Sequence, residues 1–231
     1  MRRTILVLVL LFLLLFTVFS VWNVALVRGA EFITINADGS ISGTANIVTG
    51  DNTTYTFTDN INGSITVEIN NIVIDGAGYT LQGEGGINEF GISLFGITNV
   101  TIRNTQIVNF ASGVYLQAYS SNNTVTENTF VDNKVGVELA VSSYNTISEN
   151  VLTDNGNGIW LDTAISYDLG SNYNTIIGNN ITLCFWDAIG LANESSNNTI
   201  IGNNMTNNQY AITIGNLCND NIVSGNFVDM T

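Results

Sequence analysis

The sequence contains no histidine and no proline, and only two of its 231 residues are cysteines. Without histidine there is no imidazole to activate a nucleophile, to act as a general base or to bind a metal. A single pair of cysteines cannot form a disulfide framework. Catalysis that depends on histidine and folds that depend on several disulfides are therefore excluded.

Basic residues are also scarce, with 5 Lys and Arg against 19 Asp and Glu and a formal net charge of -14. Arg2, Arg3 and Arg28 lie near the N-terminus, so only Arg103 and Lys134 remain in the rest of the chain. Phosphate groups are bound by clustered Lys and Arg. We therefore expect no nucleic-acid partner, and contact with a membrane only through the N-terminal segment.

Residues 1–30 are predicted to be a signal peptide or a signal anchor. Arg2 and Arg3 precede an uncharged apolar run from Thr4 to Trp22, which is typical of an export signal. The run approaches the ~20 residues that span a bilayer, so cleavage near Ser20 and retention as an anchor both stay open. The chain is predicted to be secreted or on the cell surface, where its eight Asn-x-Ser/Thr triplets could be glycosylated.

Residues 69–231 contain a repeat of about 23 residues with three apolar columns. The first column is Ile102, Val125, Ile147, Ile176, Ile200 and Val223, and the second is Ile107, Phe130, Leu152, Ile181, Met205 and Val228. The third is Ile92, Val114, Val137, Ile159, Ile189 and Ile212. Asparagines recur between the first and second columns, at Asn128, Asn150, Asn179, Asn203 and Asn226. Three columns indicate three strands in each repeat.

Short β-branched segments at this period predict an all-β, right-handed parallel β-helix of about seven rungs. Stacked Asn side chains at a corner can hydrogen-bond to the rungs above and below. Residues 31–68 do not match the repeat and are predicted to form an N-terminal β cap, because a bare terminal rung exposes apolar side chains and backbone. The last copy, residues 221–231, stops after its second strand, so truncation and self-association through this rung are both open.

The segments TISEN (146–150) and TIIGNNIT (175–182), together with NIVIDGAGYTLQGEG (71–85), resemble repeats of NosD-like right-handed parallel β-helix proteins. The resemblance covers roughly residues 31–231 and implies the fold. It implies activity only weakly, because this fold also serves lyases, hydrolases, epimerases, adhesins and surface-layer proteins. NosD is associated with copper-site maturation, but this sequence supplies neither imidazoles nor thiolate pairs for copper. No cofactor is therefore expected, except Ca²⁺ as considered below.

A candidate carbohydrate-binding site follows from the outward column within the third strands. Tyr115 and Trp160 flank Glu138 in this column, and aromatic faces beside a hydrogen-bonding acid suit saccharides. The repeat from Ile147 to Ile176, which contains Trp160, is the longest, and its extra residues, 163–173, lie beside Trp160. Because insertions in solenoids form loops that often border the binding face, Asp162, Tyr167 and Asp168 complete the candidate site. The alternative is an ordinary pair of exposed aromatics beside a tolerated insertion.

Two acid pairs are candidate Ca²⁺ ligands, Glu127 with Glu149 and Asp132 with Asp154. Each pair falls at one repeat position on neighbouring rungs, about 5 Å apart, where like charges repel unless they are solvated or bridged by a cation. Solvated surface acids are the alternative. A melting temperature that is unaffected by EDTA and by added calcium would exclude the calcium site.

Two classes of function remain open. The first is an exported, non-catalytic module that binds polysaccharide or contributes to envelope structure, and it is favoured by the absence of histidine and the scarcity of bases. The second is a carbohydrate-active enzyme such as a polysaccharide lyase or epimerase, for which Arg103 and Lys134 would have to converge. Their different repeat positions predict different faces. Of the adjacent aromatics Phe185 and Trp186, one is expected in the core.

Overall fold

A computed structural model describes residues 30–162 and 169–229, and these residues form strands and turns without any helix. The first strands are β1 (Glu31–Ile35), β2 (Ile41–Ser42), β3 (Ile47–Val48), β4 (Thr54–Phe57) and β5 (Ile61–Val67). The rungs follow as β6 (Val73–Asp75), β7 (Thr80–Gln82), β8 (Phe90–Phe95); β9 (Thr101–Arg103), β10 (Gln106–Val108), β11 (Ser112–Gln117); β12 (Thr124–Thr126), β13 (Thr129–Val131), β14 (Val135–Ala140); β15 (Thr146–Ser148), β16 (Val151–Thr153), β17 (Asn157–Asp162); β18 (Thr175–Ile177), β19 (Asn180–Thr182), β20 (Asp187–Leu191); β21 (Thr199–Ile201), β22 (Asn204–Thr206), β23 (Tyr210–Ile214); and β24 (Ile222–Ser224), β25 (Phe227–Asp229).

The strands stack into three parallel faces, which confirms the predicted parallel β-helix. The first face contains β6, β9, β12, β15, β18, β21 and β24; the second contains β7, β10, β13, β16, β19, β22 and β25; the third contains β8, β11, β14, β17, β20 and β23. Consecutive strands of a face pair in parallel and in register, so each rung lies directly on the one before it. The fold has about seven rungs of about 23 residues, as the repeat predicts.

The register confirms the three apolar columns. Ile102 is paired with Val125 on the first face, Ile107 with Phe130 on the second and Val114 with Val137 on the third. Apart from the last members, Ile212, Val223 and Val228, the side chains of all three columns are buried from rung to rung and form one continuous core. Alternation in steps of two therefore positions the apolar side chains inside, where their burial stabilises each rung against its neighbours.

The first strands pass gradually into the stack. Strand β5 pairs in parallel with β7 through its first residues and with β8 through its last, so it turns from the second face to the third. Strand β1 lies parallel on β5, and β4 lies parallel on β6, while β2 and β3 pair antiparallel with β1 and β4. Parallel pairing with the stack thus already includes β4 and β5, which precede the predicted cap boundary at residues 68 and 69. That boundary stays a prediction.

Three ladders of buried polar side chains line the corners between faces. In the predicted one, Asn150 Oδ1 accepts hydrogen bonds from the backbone N of Asn128 at 3.0 Å and from its Nδ2 at 3.2 Å. Two more ladders were not predicted and pass through Asn123, Asn145, Asn174 and Asn198 and through Asn133 and Asn155. Each ladder satisfies backbone groups that the tight corners would otherwise leave buried and unpaired.

The terminal rung is exposed. Val223 and Val228 occupy the first and second apolar columns, yet they are 44% and 46% exposed, whereas most earlier members are fully buried. Self-association through this rung stays a prediction. Of the predicted export segment, residues 1–30, only Ala30 is among the described residues. No helix within the described residues could span a membrane.

Candidate functional site

The third face bends where each strand carries a small residue. These residues are Gly91, Gly113, Gly136, Gly158, Ala188 and Ala211. A Cβ on Gly136 would lie 2.7 Å from the carbonyl oxygen of Gly158 on the next rung, so the backbones approach too closely for a larger side chain. Two consecutive residues, Gly158 and Ile159, are consequently buried. The outward positions on this strand, Asn157 and Trp160, are therefore three residues apart rather than two.

The predicted column of Tyr115, Glu138 and Trp160 is present on this face. The three residues are in register on successive strands β11, β14 and β17. Asp162 lies on the same face, and its Oδ2 accepts a hydrogen bond from Trp160 Nε1 at 3.3 Å. The structure thus brings four of the six predicted carbohydrate-binding residues together. The other two, Tyr167 and Asp168, lie outside the described residues.

At the N-terminal end of the column, Tyr115 and Glu138 are already engaged in contacts with neighbouring side chains. The ring of Tyr115 packs against that of Phe90 with centroids 4.6 Å apart, and Ser112 Oγ donates a hydrogen bond to the Glu138 carboxylate. Burial raises the pKa of Glu138, and the negative charge of Asp162 raises it further. Burial and these same carboxylates raise the pKa of Tyr115. Glu138 is thus held closer to its neutral form than an exposed glutamate.

Two tryptophans on this side of the solenoid each reach over a glycine of a neighbouring rung. The indole of Trp160 covers Gly190, and a Cβ on Gly190 would overlap its Cζ3 atom. The indole of Trp186 extends the opposite way over Gly156, where an added Cβ would lie 2.9 Å from Cζ3. The absence of a side chain at both glycines is what allows the indoles to lie along the surface.

Between these indoles is a groove of about 420 Å³, lined by Asn157, Trp160, Trp186, Asp187, Tyr210 and Thr213. Thr213 Oγ1 donates a hydrogen bond to the Asp187 carboxylate, and the backbone N of Asp187 donates to Asn157 Oδ1 at 3.1 Å. These bonds fix the polar floor of the groove. We call these six residues the tryptophan groove.

Sequence reasoning found only Trp160 of the tryptophan groove. The expectation that Phe185 or Trp186 belongs to the core is wrong, because both occupy the corner before the third face, where they are 70% and 47% exposed. Their rings meet edge to face with centroids 5.2 Å apart. One signal was available: aromatic residues occur at or near the start of the third strand in successive rungs, at Trp186 and Tyr210.

The predicted calcium ligands occupy exposed corners. Glu127, Glu149, Asp132 and Asp154 all have positive φ angles of 55–56°, the left-handed conformation that tight corners require. Within the described ranges, no three His, Cys, Asp or Glu residues are arranged to hold a metal ion. Calcium binding by either pair stays a prediction.

The two bases that a lyase would need do not meet. Arg103 is on the first face, where its Nε lies 3.0 Å from Asp75 Oδ2 in an ion pair. Lys134 is exposed at the corner that precedes β14 on the third face. Their separation agrees with the different repeat positions of the two residues. Arg103 and Lys134 therefore form no common catalytic site.

Known proteins similar to this chain comprise one matching family and several solved structures of low sequence identity. A family model described as "Periplasmic copper-binding protein (NosD)" matches residues 25–222. No curated protein sequence matches significantly. Among solved structures, the enzymatically active domain of bacteriophage CBA120 tailspike protein 2 is 14% identical over 75% of this chain and 34% of that chain, with a TM-score of 0.53.

Two further structures score slightly lower. The periplasmic alginate epimerase AlgG is 20% identical over 66% of this chain, with a TM-score of 0.49, and this chain spans only 33% of its length. Endopolygalacturonase I from Stereum purpureum is 16% identical over 76% of this chain and 67% of that chain, with a TM-score of 0.48. At these identities, likeness extends to the fold alone.

The copper in the family's description does not fit the donor set of this chain. There is no histidine, and Cys184 and Cys218 are both free. Burial raises the pKa of the Cys184 thiol to about 12, so it stays protonated and is a poor ligand. Copper sites in proteins are built from imidazole, thiolate and thioether groups, and the described residues offer no cluster of them.

Proposed function

The chain belongs to the NosD family, and from this membership and the tryptophan groove we propose that it is an exported, non-catalytic β-helix module that binds polysaccharide. It acts in the periplasm or at the cell surface, and its rigid solenoid can also contribute to envelope structure. The observation that carries the proposal is the pair of indoles, Trp160 and Trp186, which reach over Gly190 and Gly156 and line one groove.

The geometry of the groove suits a sugar chain. The C–H face of a pyranose ring is apolar and packs on the face of an aromatic ring, while its hydroxyls need hydrogen-bond partners. Trp160, Trp186 and Tyr210 supply the aromatic faces, and Asn157 and Asp187 supply polar groups between them. The glycines and the hydrogen bonds of the floor hold this arrangement before a ligand arrives, which lowers the ordering cost of binding.

The predicted column extends the same surface. Tyr115 and Glu138 lie on the two rungs that precede the tryptophan groove, and Asp162 lies on the strand that carries Asn157 and Trp160. Neighbouring rungs are ~4.8 Å apart, so three rungs span about the length of two sugar residues. A bound polymer would then run along the solenoid axis, with Trp160 shared by the two parts of the site.

A carbohydrate-active enzyme is the second candidate, and the cluster around Glu138 favours it. A carboxyl group that keeps its proton to higher pH can act as a general acid, and Tyr115 lies on the adjacent rung as a second proton carrier. Catalysis at this cluster would use Glu138 rather than the separated bases Arg103 and Lys134.

Affinity electrophoresis of the full chain through gels containing neutral and charged polysaccharides tests both candidates. We expect retardation in at least one gel without cleavage of the polymer. Trp160→Ala and Trp186→Ala should each weaken retention at least tenfold, as central aromatic contacts do. Tyr79→Ala is the matched control, since Tyr79 is an exposed aromatic at the turn between the first and second faces.

The outcomes separate the proposals. Cleavage that is lost in Glu138→Gln would replace the binding module by the enzyme. Equal retention of all three alanine variants would remove the tryptophan groove as the binding site. Absence of retardation on every polymer would leave the structural role in the envelope.

A further inference from the structure

The tryptophan groove combines aromatic faces with a fixed carboxylate. Trp160, Trp186 and Tyr210 line the groove together with Asp187, a residue that is only 9% exposed. The face of an aromatic ring carries negative electrostatic potential and attracts cations, most strongly for tryptophan. A carboxylate with little access to water also gains from an opposite charge, because its own solvation is incomplete. All four groups therefore favour a positively charged partner.

The surrounding surface adds negative charge. Glu138 and Asp162 lie on the same face as the groove. Of the two bases in the described residues, Arg103 is paired with Asp75 on another face. Lys134 lies at the same corner as Trp186, on the rung before Asn157, and its backbone carbonyl accepts a hydrogen bond from the Asn157 backbone N at 2.8 Å. Lys134 is thus the one base of the described residues beside the groove, where the carboxylates of Glu138, Asp162 and Asp187 outnumber it.

This charge distribution discriminates among glycans. Uronate and sulfate groups would be repelled by Asp187 and by the net charge of -14. A neutral glycan could stack on the indoles but would leave Asp187 without a charged partner. An amino sugar satisfies both features, because its ring stacks on an indole while its ammonium group reaches the carboxylate.

We infer that the tryptophan groove recognises a polymer of amino sugars whose amino groups are free. The inference rests on the proposed function, since it names the chemical class of glycan that the same groove takes. Trp160 and Trp186 bind the sugar rings, and Asp187, positioned by Thr213, binds the ammonium group. The specificity-determining residue is Asp187.

Titration calorimetry with chitosan and chitin oligosaccharides of equal length tests the inference, because these ligands differ only in acetylation of the amino group. Oligogalacturonate provides the anionic comparison. The full chain should bind the deacetylated oligomer at least about tenfold more tightly than the acetylated one, the range expected for a charge-assisted hydrogen bond. Oligogalacturonate should bind most weakly, and added salt should reduce the preference for the amine.

Asp187→Asn should lower affinity for the deacetylated oligomer by about tenfold, and should lower affinity for the acetylated oligomer much less, because asparagine keeps a polar group for the sugar hydroxyls and loses only the charge. Asp220→Asn is the matched control, because Asp220 is an exposed corner acid with φ 54°, and asparagine occupies the equivalent corner at Asn197. It should change neither affinity. Trp186→Leu provides a second variant that keeps apolar bulk and removes the ring face, and it should reduce binding of the amine more than of the acetylated oligomer.

Equal binding of both oligomers, or tighter binding of the acetylated one, would overturn the inference and leave polysaccharide binding intact. Equal losses in Asp187→Asn and Asp220→Asn would also overturn it, because net charge and not the groove would then attract the amine. Failure of every oligomer and polymer to bind would instead reject the proposed function.

Discussion

Single residues at the corners of the solenoid adopt the left-handed backbone conformation, which most residue types rarely adopt. The residue before each ladder position has a positive φ angle, and this position is occupied by Asn109, Asp132, Asp154 and Asn207 in four rungs of the third ladder. Asparagine and aspartate tolerate the left-handed region because their short polar side chains bond locally. Leu183 occupies the same position with φ 57° and has no such compensation.

Leu183→Asn should raise the free energy of unfolding by about 1 kcal/mol, because a leucine in the left-handed region costs roughly 1–2 kcal/mol. Little packing is lost, since Leu183 is 51% exposed. Equilibrium unfolding in urea measures the change. Ile177→Asn is the control, because Ile177 is a similarly exposed strand residue, 40% accessible, where asparagine disfavours the strand. A lower free energy of unfolding for Leu183→Asn would contradict the account of corner strain.

Among the structural elements, the asparagine ladders supply the buried side-chain hydrogen bonds that join neighbouring rungs at the corners. Asn150 is 1% exposed, and its Nδ2 donates to the carbonyl of Val125 at 2.9 Å and to Asn179 Oδ1 at 3.0 Å. Its Oδ1 accepts from the backbone and side chain of Asn128. One amide therefore bonds to the rung before and the rung after its own, which makes each rung depend on both neighbours.

Asn150→Ala should lower the free energy of unfolding by about 3 kcal/mol, because it leaves several buried donors and acceptors without partners. Asn226→Ala should cost about 1 kcal/mol, because it removes the end of the ladder, where groups are closer to water. Urea unfolding of the two variants measures the difference. Equal effects would mean that the ladder contributes only at individual turns.

The sequence predicted the elements better than it predicted the groove. The apolar columns recur about every 23 residues with one longer repeat, so their register could be read from the sequence and is confirmed. The two other ladders were missed although asparagines recur every five residues, as in Asn123, Asn128 and Asn133. The groove was missed for a different reason. The bend at Gly158 and Ala188 breaks simple alternation, so the outward direction of Asn157 and Asp187 could not be derived from a period of two.

For the whole molecule, the central consequence of stacking is that residues one repeat apart become neighbours on a rigid surface. Trp160 and Gly190 are 30 positions apart in the chain but adjacent in register on β17 and β20. The same holds for Asp187 and Tyr210 on β20 and β23. The solenoid thereby converts sequence positions in separate repeats into one continuous binding surface, as repeat proteins do generally.

Glycan retention by Gly190→Ala tests this account most directly, because the substitution changes no residue that contacts the ligand. Its Cβ would overlap the Trp160 indole, so the ring must leave its place on the surface. We predict a folded chain whose retention in the affinity gel falls at least about tenfold. Gly50→Ala, which meets no atom within 4 Å, should retain normally. Full retention by folded Gly190→Ala would contradict the claim that the stacked rungs hold Trp160 in place for glycan binding.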